Sequence, residues 1–106
     1  MLSDAESDVF LPEAGFSASP LSGYTPLSVQ FSDLSTNNLT EWDWDFGDGT
    51  AVSYQQNQLL HIYTKPGIFT VKLTVRNGYG PDEEIKTAYI AVSGRIYLPL
   101  TRQNTP

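Results

Sequence analysis

The chain has 106 residues and a formal net charge of −6, with 40% hydrophobic and 17% charged side chains. This length suits one domain with a single core, and the acidic balance excludes the phosphate-neutralising surface that nucleic-acid binding requires. The absence of cysteine excludes disulfides and thiolate metal sites, and no apolar run reaches the roughly 20 residues that span a bilayer. Frequent glycine, proline and aromatic residues favour short strands and tight turns, so we predict an all-β domain.

The two ends of the chain lack the patterning of the middle. Residues 1–12 are acidic and aperiodic and end at a proline, which predicts an N-terminal tail or linker. Residues 94–106 contain Pro99 and Pro106 and little pattern, which predicts a C-terminal tether. No basic segment followed by an apolar stretch opens the sequence, so we expect no signal peptide and a chain cut from a longer protein.

Alternating apolar and polar residues predict the first strands of residues 13–93. A strand is predicted over Glu13–Ser19, and a second alternates its apolar residues from Leu27 to Phe31. The next, over residues 41–46, carries three aromatic side chains on one face. Gly47-Asp48-Gly49 then ends that strand in a tight reversal.

Three more strands are predicted in the second half of the chain. Leu59–Tyr63 forms a short strand whose inward face stays open, because both sets of alternate residues are largely apolar. The longest alternation, over residues 69–76, predicts a central antiparallel strand. A last strand over Ile85–Val92 should shift its parity by a bulge near Thr87 if Ile85 is buried.

Two linked motifs closely resemble the PKD (polycystic kidney disease) domain. Residues 42–50 read Trp-Asp-Trp-Asp-Phe-Gly-Asp-Gly-Thr, and residues 61–71 read His-Ile-Tyr-Thr-Lys-Pro-Gly-Ile-Phe-Thr-Val. In that family a Trp-Asp-Phe-Gly-Asp-Gly segment precedes a His-x-Tyr strand, a Pro-Gly turn and a Tyr-x-Val strand. The resemblance covers residues 13–93 and implies an immunoglobulin-like antiparallel β-sandwich of about seven strands in two sheets. One departure is Phe69, where the family usually has tyrosine.

Strand alternation and the resemblance together predict the core, since the resemblance pairs the strand of Trp44 with that of Val71. The predicted core residues are Phe31, Trp44, Phe46, Phe69, Val71 and Leu73. A second group of aromatic residues is considered for facing a ligand, because flat aromatic rings stack on sugars. These candidates are Trp42, Tyr79 and Tyr89, although Trp42 shares its strand face with core residues.

Asp43, Asp45 and Asp48 raise the question of calcium, because hard cations need clustered oxygen ligands. Their spacing departs from an EF-hand loop, and no glutamate closes the loop. We expect Asp43 and Asp45 to face Lys72 and Arg76 across two paired strands as ion pairs instead. The prediction is therefore no metal site and no cofactor, with calcium near these three aspartates left as an open alternative.

His61 is the single histidine, and a catalytic role would need a nucleophile that the sequence does not reveal. We therefore expect no enzyme, and the resemblance to the PKD domain implies a non-catalytic extracellular spacer or adhesion module of a larger surface or secreted protein. Its expected partners are neighbouring domains of the same chain or other surface proteins, and the module should be a monomer without nucleic-acid binding or membrane insertion. The alternative is a carbohydrate-binding accessory domain of a secreted hydrolase, with a polysaccharide as its ligand.

Overall fold

The computed structural model describes residues 10–50 and 59–95, which form two facing β-sheets. The strand order is β1-β3-β5 in one sheet and β2-β7-β6-β4 in the other. This confirms the predicted sandwich, and the one parallel pairing in the described residues joins β2 to β7. The strands are β1 (Phe16–Ser19), β2 (Ser22–Tyr24), β3 (Leu27–Asp33), β4 (Glu41–Asp45), β5 (Leu59–Tyr63), β6 (Gly67–Asn77) and β7 (Gly80–Ser93).

The core lies between the two sheets and is built from alternate residues of the strands. Trp44 is at its centre with 0% exposure, and its indole lies 5.8 Å from the Phe31 ring and 5.4 Å from the Phe16 ring. Phe46, Val71 and Leu73 are buried as well, whereas Phe69 is half-buried and packs against the core. The other buried apolar residues are Leu27, Val29, Leu59, Tyr63, Val75, Ile90 and Val92.

The long hairpin of β6 and β7 contains a bulge, but not of the predicted kind. Phe69 pairs with Ile90 and Val71 pairs with Lys86, so residues 87–89 of β7 stand opposite a single residue of β6. Because β7 gains two residues there, the parity of its side chains does not change. The bulge lies near Thr87, as predicted. A shift of parity would have required Ile85 to be buried, but Ile85 lies on the outer face and is 51% exposed.

The described chain begins and ends at opposite ends of this sandwich. The carbonyl of Phe10 accepts a hydrogen bond of 2.8 Å from Asn77 Nδ2, beside the turn between β6 and β7. We call this end the N-terminal pole. At the other end of the hairpin, Gly67 pairs with Val92 and Ser93 pairs with Tyr24. We call this end the C-terminal pole.

The predicted tail and tether fall mostly on residues 1–9 and 96–106, which lie outside the described residues. Within the described part, Leu11 accepts a hydrogen bond of 2.7 Å from Asn37 Nδ2, and Pro12 is buried. Residues 10–12 therefore contact the sandwich. The described residues include no helix with the length and hydropathy needed to cross a membrane.

Candidate functional site

The turn that follows β4 explains why the motif requires its two glycines. Gly47 and Gly49 have φ angles of 82° and 84°, which are accessible to glycine at little cost. A Cβ atom on Gly47 would also collide with the carbonyl oxygen of Thr70 on β6. Asp45 Oδ1 accepts a hydrogen bond of 3.0 Å from the Gly47 amide, which begins the reversal. The turn is therefore fixed in position against β6.

Asp48 connects this turn to β5 through a hydrogen bond with His61. Its Oδ1 accepts hydrogen bonds from the amide and hydroxyl of Thr50, at 3.2 and 2.7 Å, as expected for an aspartate that caps its own turn. Its Oδ2 lies 2.7 Å from His61 Nε2, a contact that sequence reasoning missed. Burial on its own would raise the pKa of Asp48, but the hydrogen bonds from Thr50 and His61 outweigh burial and lower that pKa. Asp48 is thus a carboxylate with a structural role, and both of its oxygen atoms contact protein groups.

His61 and Tyr63 continue this cluster into the core. The His61 ring stacks on Phe46 with centroids 4.0 Å apart, and the Tyr63 ring meets it edge-on at 4.7 Å. The Tyr63 hydroxyl donates a hydrogen bond of 2.9 Å to the Phe46 carbonyl, and the side chain is 1% exposed. Burial raises the pKa of the Tyr63 phenol, and the charge of Asp48 adds to the effect. The inward set of β5 is therefore the one that contains Tyr63.

The ion pairs on the outer face of β4 and β6 correspond only in part to the expectation. Arg76 Nη1 lies 3.1 Å from Asp43 Oδ2 and also 3.7 Å from Glu41, which the sequence did not suggest as a partner. Lys72 stands opposite Asp45 in the register, but its Nζ lies 4.0 Å from Glu83 instead. Asp43, Asp45, Lys72, Arg76 and Glu83 line an open groove of about 660 Å³.

The described residues contain no group of three or more histidine, cysteine, aspartate or glutamate side chains arranged to hold a metal ion. Asp43 lies against Arg76, Asp45 accepts a bond from its own turn, and Asp48 is occupied by Thr50 and His61. The three aspartates considered for calcium therefore have separate protein partners.

The aromatic residues considered for sugar binding are dispersed over the molecule. Trp42 is half-buried, and its Nε1 donates a hydrogen bond of 2.8 Å to Asp33. Tyr89 is half-buried, with its ring edge-on to Phe16 at 5.8 Å. Tyr79 is 61% exposed in the turn at the N-terminal pole. These three side chains do not form a row of coplanar, solvent-facing rings.

Comparison with known proteins extends the motif resemblance to nearly the whole described chain. The model of the PKD domain family matches residues 11–92. Collagenase ColA of Bacillus cereus is 33% identical over 72 residues, which cover 64% of this chain. The chain spans only 7% of the length of that collagenase.

Solved structures show the same architecture. The PKD1 domain of the Vibrio cholerae metalloprotease PrtV superposes with a TM-score of 0.62 at 29% identity, covering 77% of this chain and 99% of that domain. A structure from work on the promiscuous specificity of carbohydrate-binding modules of the β-sandwich superfamily gives a TM-score of 0.69 at 29% identity. That match covers 78% of this chain and 34% of the other.

Proposed function

Because the chain belongs to the PKD domain family, we propose that it is a non-catalytic module that holds neighbouring domains of a secreted or surface protein apart. The position of the two poles is the observation that carries this proposal. The described chain starts beside Asn77 and ends beside Gly67, the two ends of β6. The first and last of the 11 residues of β6 are ten steps of about 3.3 Å apart, which places these ends about 33 Å from one another.

Fixed contacts at both poles support a stiff spacer. At the N-terminal pole, Asn77 Nδ2 donates hydrogen bonds of 2.8 and 2.7 Å to the carbonyls of Phe10 and Asn37. Near the C-terminal pole, Asp48 and His61 join the β4 turn to β5 across the two sheets. Because the hairpin of β6 and β7 extends from one pole to the other, interrupted by the bulge at residues 87–89, bending elsewhere would disrupt its ladder of backbone hydrogen bonds.

The proposed setting outside the cell rests on the relatives. One is a collagenase and another is a metalloprotease, and in each the matched part is a fraction of the protein or an excised PKD domain. Neighbouring domains of the same polypeptide are accordingly its proposed partners, with other surface proteins as further ones.

A carbohydrate-binding role is the second candidate, because the chain resembles a structure obtained with carbohydrate-binding modules. The placement of the aromatic side chains favours the spacer, since sugar-binding surfaces need rings that are accessible together. Retention on chitin, cellulose or xylan discriminates between the two. Binding that disappears in Tyr79→Ala but persists in Tyr24→Ala, at the opposite pole, would favour the carbohydrate-binding role.

The spacer proposal is tested by measuring the distance between the poles. The chain has no cysteine, so Glu13→Cys with Ser93→Cys allows two spin labels to be attached at defined sites. Double electron–electron resonance should give one narrow distribution of distances close to the separation of about 33 Å between the poles, increased by the length of the labels. A matched pair at Glu13 and Tyr79, both at the N-terminal pole, should give a much shorter distance. A broad distribution for the first pair would contradict a rigid spacer.

A further inference from the structure

Exposed apolar side chains cluster at the N-terminal pole. Phe10, Leu11 and Tyr79 are 52%, 54% and 61% exposed. Hydrogen bonds hold the backbone beneath all three, because Asn77 bonds the Phe10 carbonyl and the Tyr79 amide while Asn37 bonds the Leu11 carbonyl. We call these three residues the N-terminal apolar cluster. Because the backbone is already held, covering these side chains costs little backbone entropy.

A second exposed cluster lies at the C-terminal pole. Tyr24 and Ile68 are 60% and 64% exposed. Ile68 pairs with Ala91 and Tyr24 pairs with Ser93, so both side chains project from the outer face of the same sheet, on either side of β7. The guanidinium of Arg95 lies 5.8 Å from the Tyr24 ring. We call Tyr24 and Ile68 the C-terminal apolar cluster.

The two poles carry opposite charge. Among the described residues, the C-terminal pole carries the exposed cations Lys65 and Arg95 and the half-buried Asp48 carboxylate beside Lys65, which leaves a small net positive charge. Exposed acidic residues dominate the N-terminal pole, where Arg76 is already paired with Glu41 and Asp43. These acidic residues are Glu13, Glu41, which Arg76 contacts, and Asp82, which accepts a hydrogen bond from the Ala14 amide. Contact between unlike poles is therefore attractive, and contact between like poles is repulsive.

We propose that copies of this chain associate end to end, with the C-terminal pole of one copy against the N-terminal pole of the next. The inference rests on the proposed spacer function, because it continues the axis that joins the two poles. Each contact sets Lys65 and Arg95 against acidic side chains, and the outward-facing Tyr24 and Ile68 meet the N-terminal apolar cluster at its edge. Because the two surfaces differ, the contact is heterologous and can repeat along a row of modules. Its small area makes it weak and transient in solution.

Paramagnetic broadening between two copies tests this contact. One copy carries Thr64→Cys with a spin label at the C-terminal pole, and the other is uniformly labelled with ¹⁵N and has no label. At about 1 mM chain, where weak contacts are populated, we expect broadening of the amides of Leu11, Tyr79 and Gly80. Amides in the middle of β3 should stay sharp. Sodium chloride at about 0.5 M should remove most of the effect by screening the poles.

Charge variants make the test specific. Lys65→Glu in the spin-labelled copy should reduce the broadening at least threefold, and Glu13→Lys in the ¹⁵N copy should do the same. Combining the two variants in opposite copies should restore the contact, since the unlike charges are then exchanged. Lys72→Glu is the matched control, because it changes the net charge equally at a site between the poles.

Several results would overturn end-to-end association. Uniform broadening would indicate non-specific contact, and broadening at the C-terminal pole would indicate that like poles meet. Absence of broadening in the ¹⁵N-labelled copy would mean that the poles of two copies do not meet. The spacer proposal is tested separately, by the resonance distance between the poles of one copy. If that distance is narrow while any of these results is obtained, the spacer proposal stands and only the association is refuted.

Discussion

Replacing Tyr63 with phenylalanine removes one oxygen atom from the core and keeps the ring that packs between the sheets. The Tyr63 side chain is 1% exposed, and its hydroxyl donates a hydrogen bond of 2.9 Å to the Phe46 carbonyl. The variant leaves this buried carbonyl without that donor, which costs about 1–3 kcal/mol. We therefore expect Tyr63→Phe to lower the free energy of unfolding by about 2 kcal/mol and the melting temperature by about 8–16 °C.

Denaturant titration followed by tryptophan fluorescence measures this loss, with Tyr79→Phe as the matched control. Tyr79 is 61% exposed, so the control removes the same atom where water replaces its contacts. Its free energy of unfolding should stay within about 0.5 kcal/mol of the wild type. If Tyr63→Phe stays within the same limit, the bond to Phe46 does not hold the β4 turn against β5, and the reasoning fails.

The same pair of variants should differ in alkaline solution. Burial raises the pKa of the Tyr63 phenol, and the negative charges of Asp48 and Asp45 reinforce the shift. An unfolded tyrosine ionises near pH 10, at about its model-peptide pKa. The stability linked to Tyr63 is therefore complete below about pH 10 and is lost as the pH rises further. Tyr63→Phe should show a shallower loss of stability above about pH 10 than the wild type and Tyr79→Phe, and equal slopes would contradict the assignment.

Three further predictions concern the core, the acidic turn and calcium. Trp44→Ala should lower the free energy of unfolding by about 3–5 kcal/mol in denaturant titration, because the indole is fully buried. Since hydrogen bonds lower the pKa of Asp48, its contribution to stability is present above about pH 4 and is lost as the pH falls through the lowered value. Thermal melts of Asp48→Asn should therefore change less between neutral and acid pH than those of the wild type. Millimolar calcium should raise the wild-type melting temperature by less than about 2 °C in calorimetry, whereas a real site filled at 100 times its Kd would add about 2.7 kcal/mol.

Strict alternation was sufficient to predict the strands that form the centre of the fold. In β3 the apolar residues Leu27, Val29 and Phe31 are all buried. In β6 the same is true of the alternate residues Val71, Leu73 and Val75. A period of two identifies the face of a strand, and burial then follows because an apolar face must be covered. The resemblance to the PKD domain predicted that β4 pairs with β6, and the observed register confirms that pairing.

Contacts between residues on non-adjacent strands were harder to predict. Asp48 and His61 are 13 residues apart and belong to opposite sides of the sandwich, so no period relates them. Long side chains add a second difficulty, because they can reach diagonal neighbours as well as the residue directly opposite. Arg76 illustrates this, since it stands opposite Glu41 but lies closer to Asp43.

In the first half of β7, charged residues occupy positions on the inner face of the sheet, where the hydrophobic pattern would predict apolar residues. Glu84 and Lys86 stand opposite Leu73 and Val71, so they share the face that β6 buries. β2 pairs only with residues 91–93, which leaves this stretch with a single neighbouring strand among the described residues. Charged side chains on the inner face of an edge oppose pairing with another sheet. The other edge of this sheet, β4, carries the acidic residues Glu41, Asp43 and Asp45, so pairing with a second sheet is disfavoured at both of its edges.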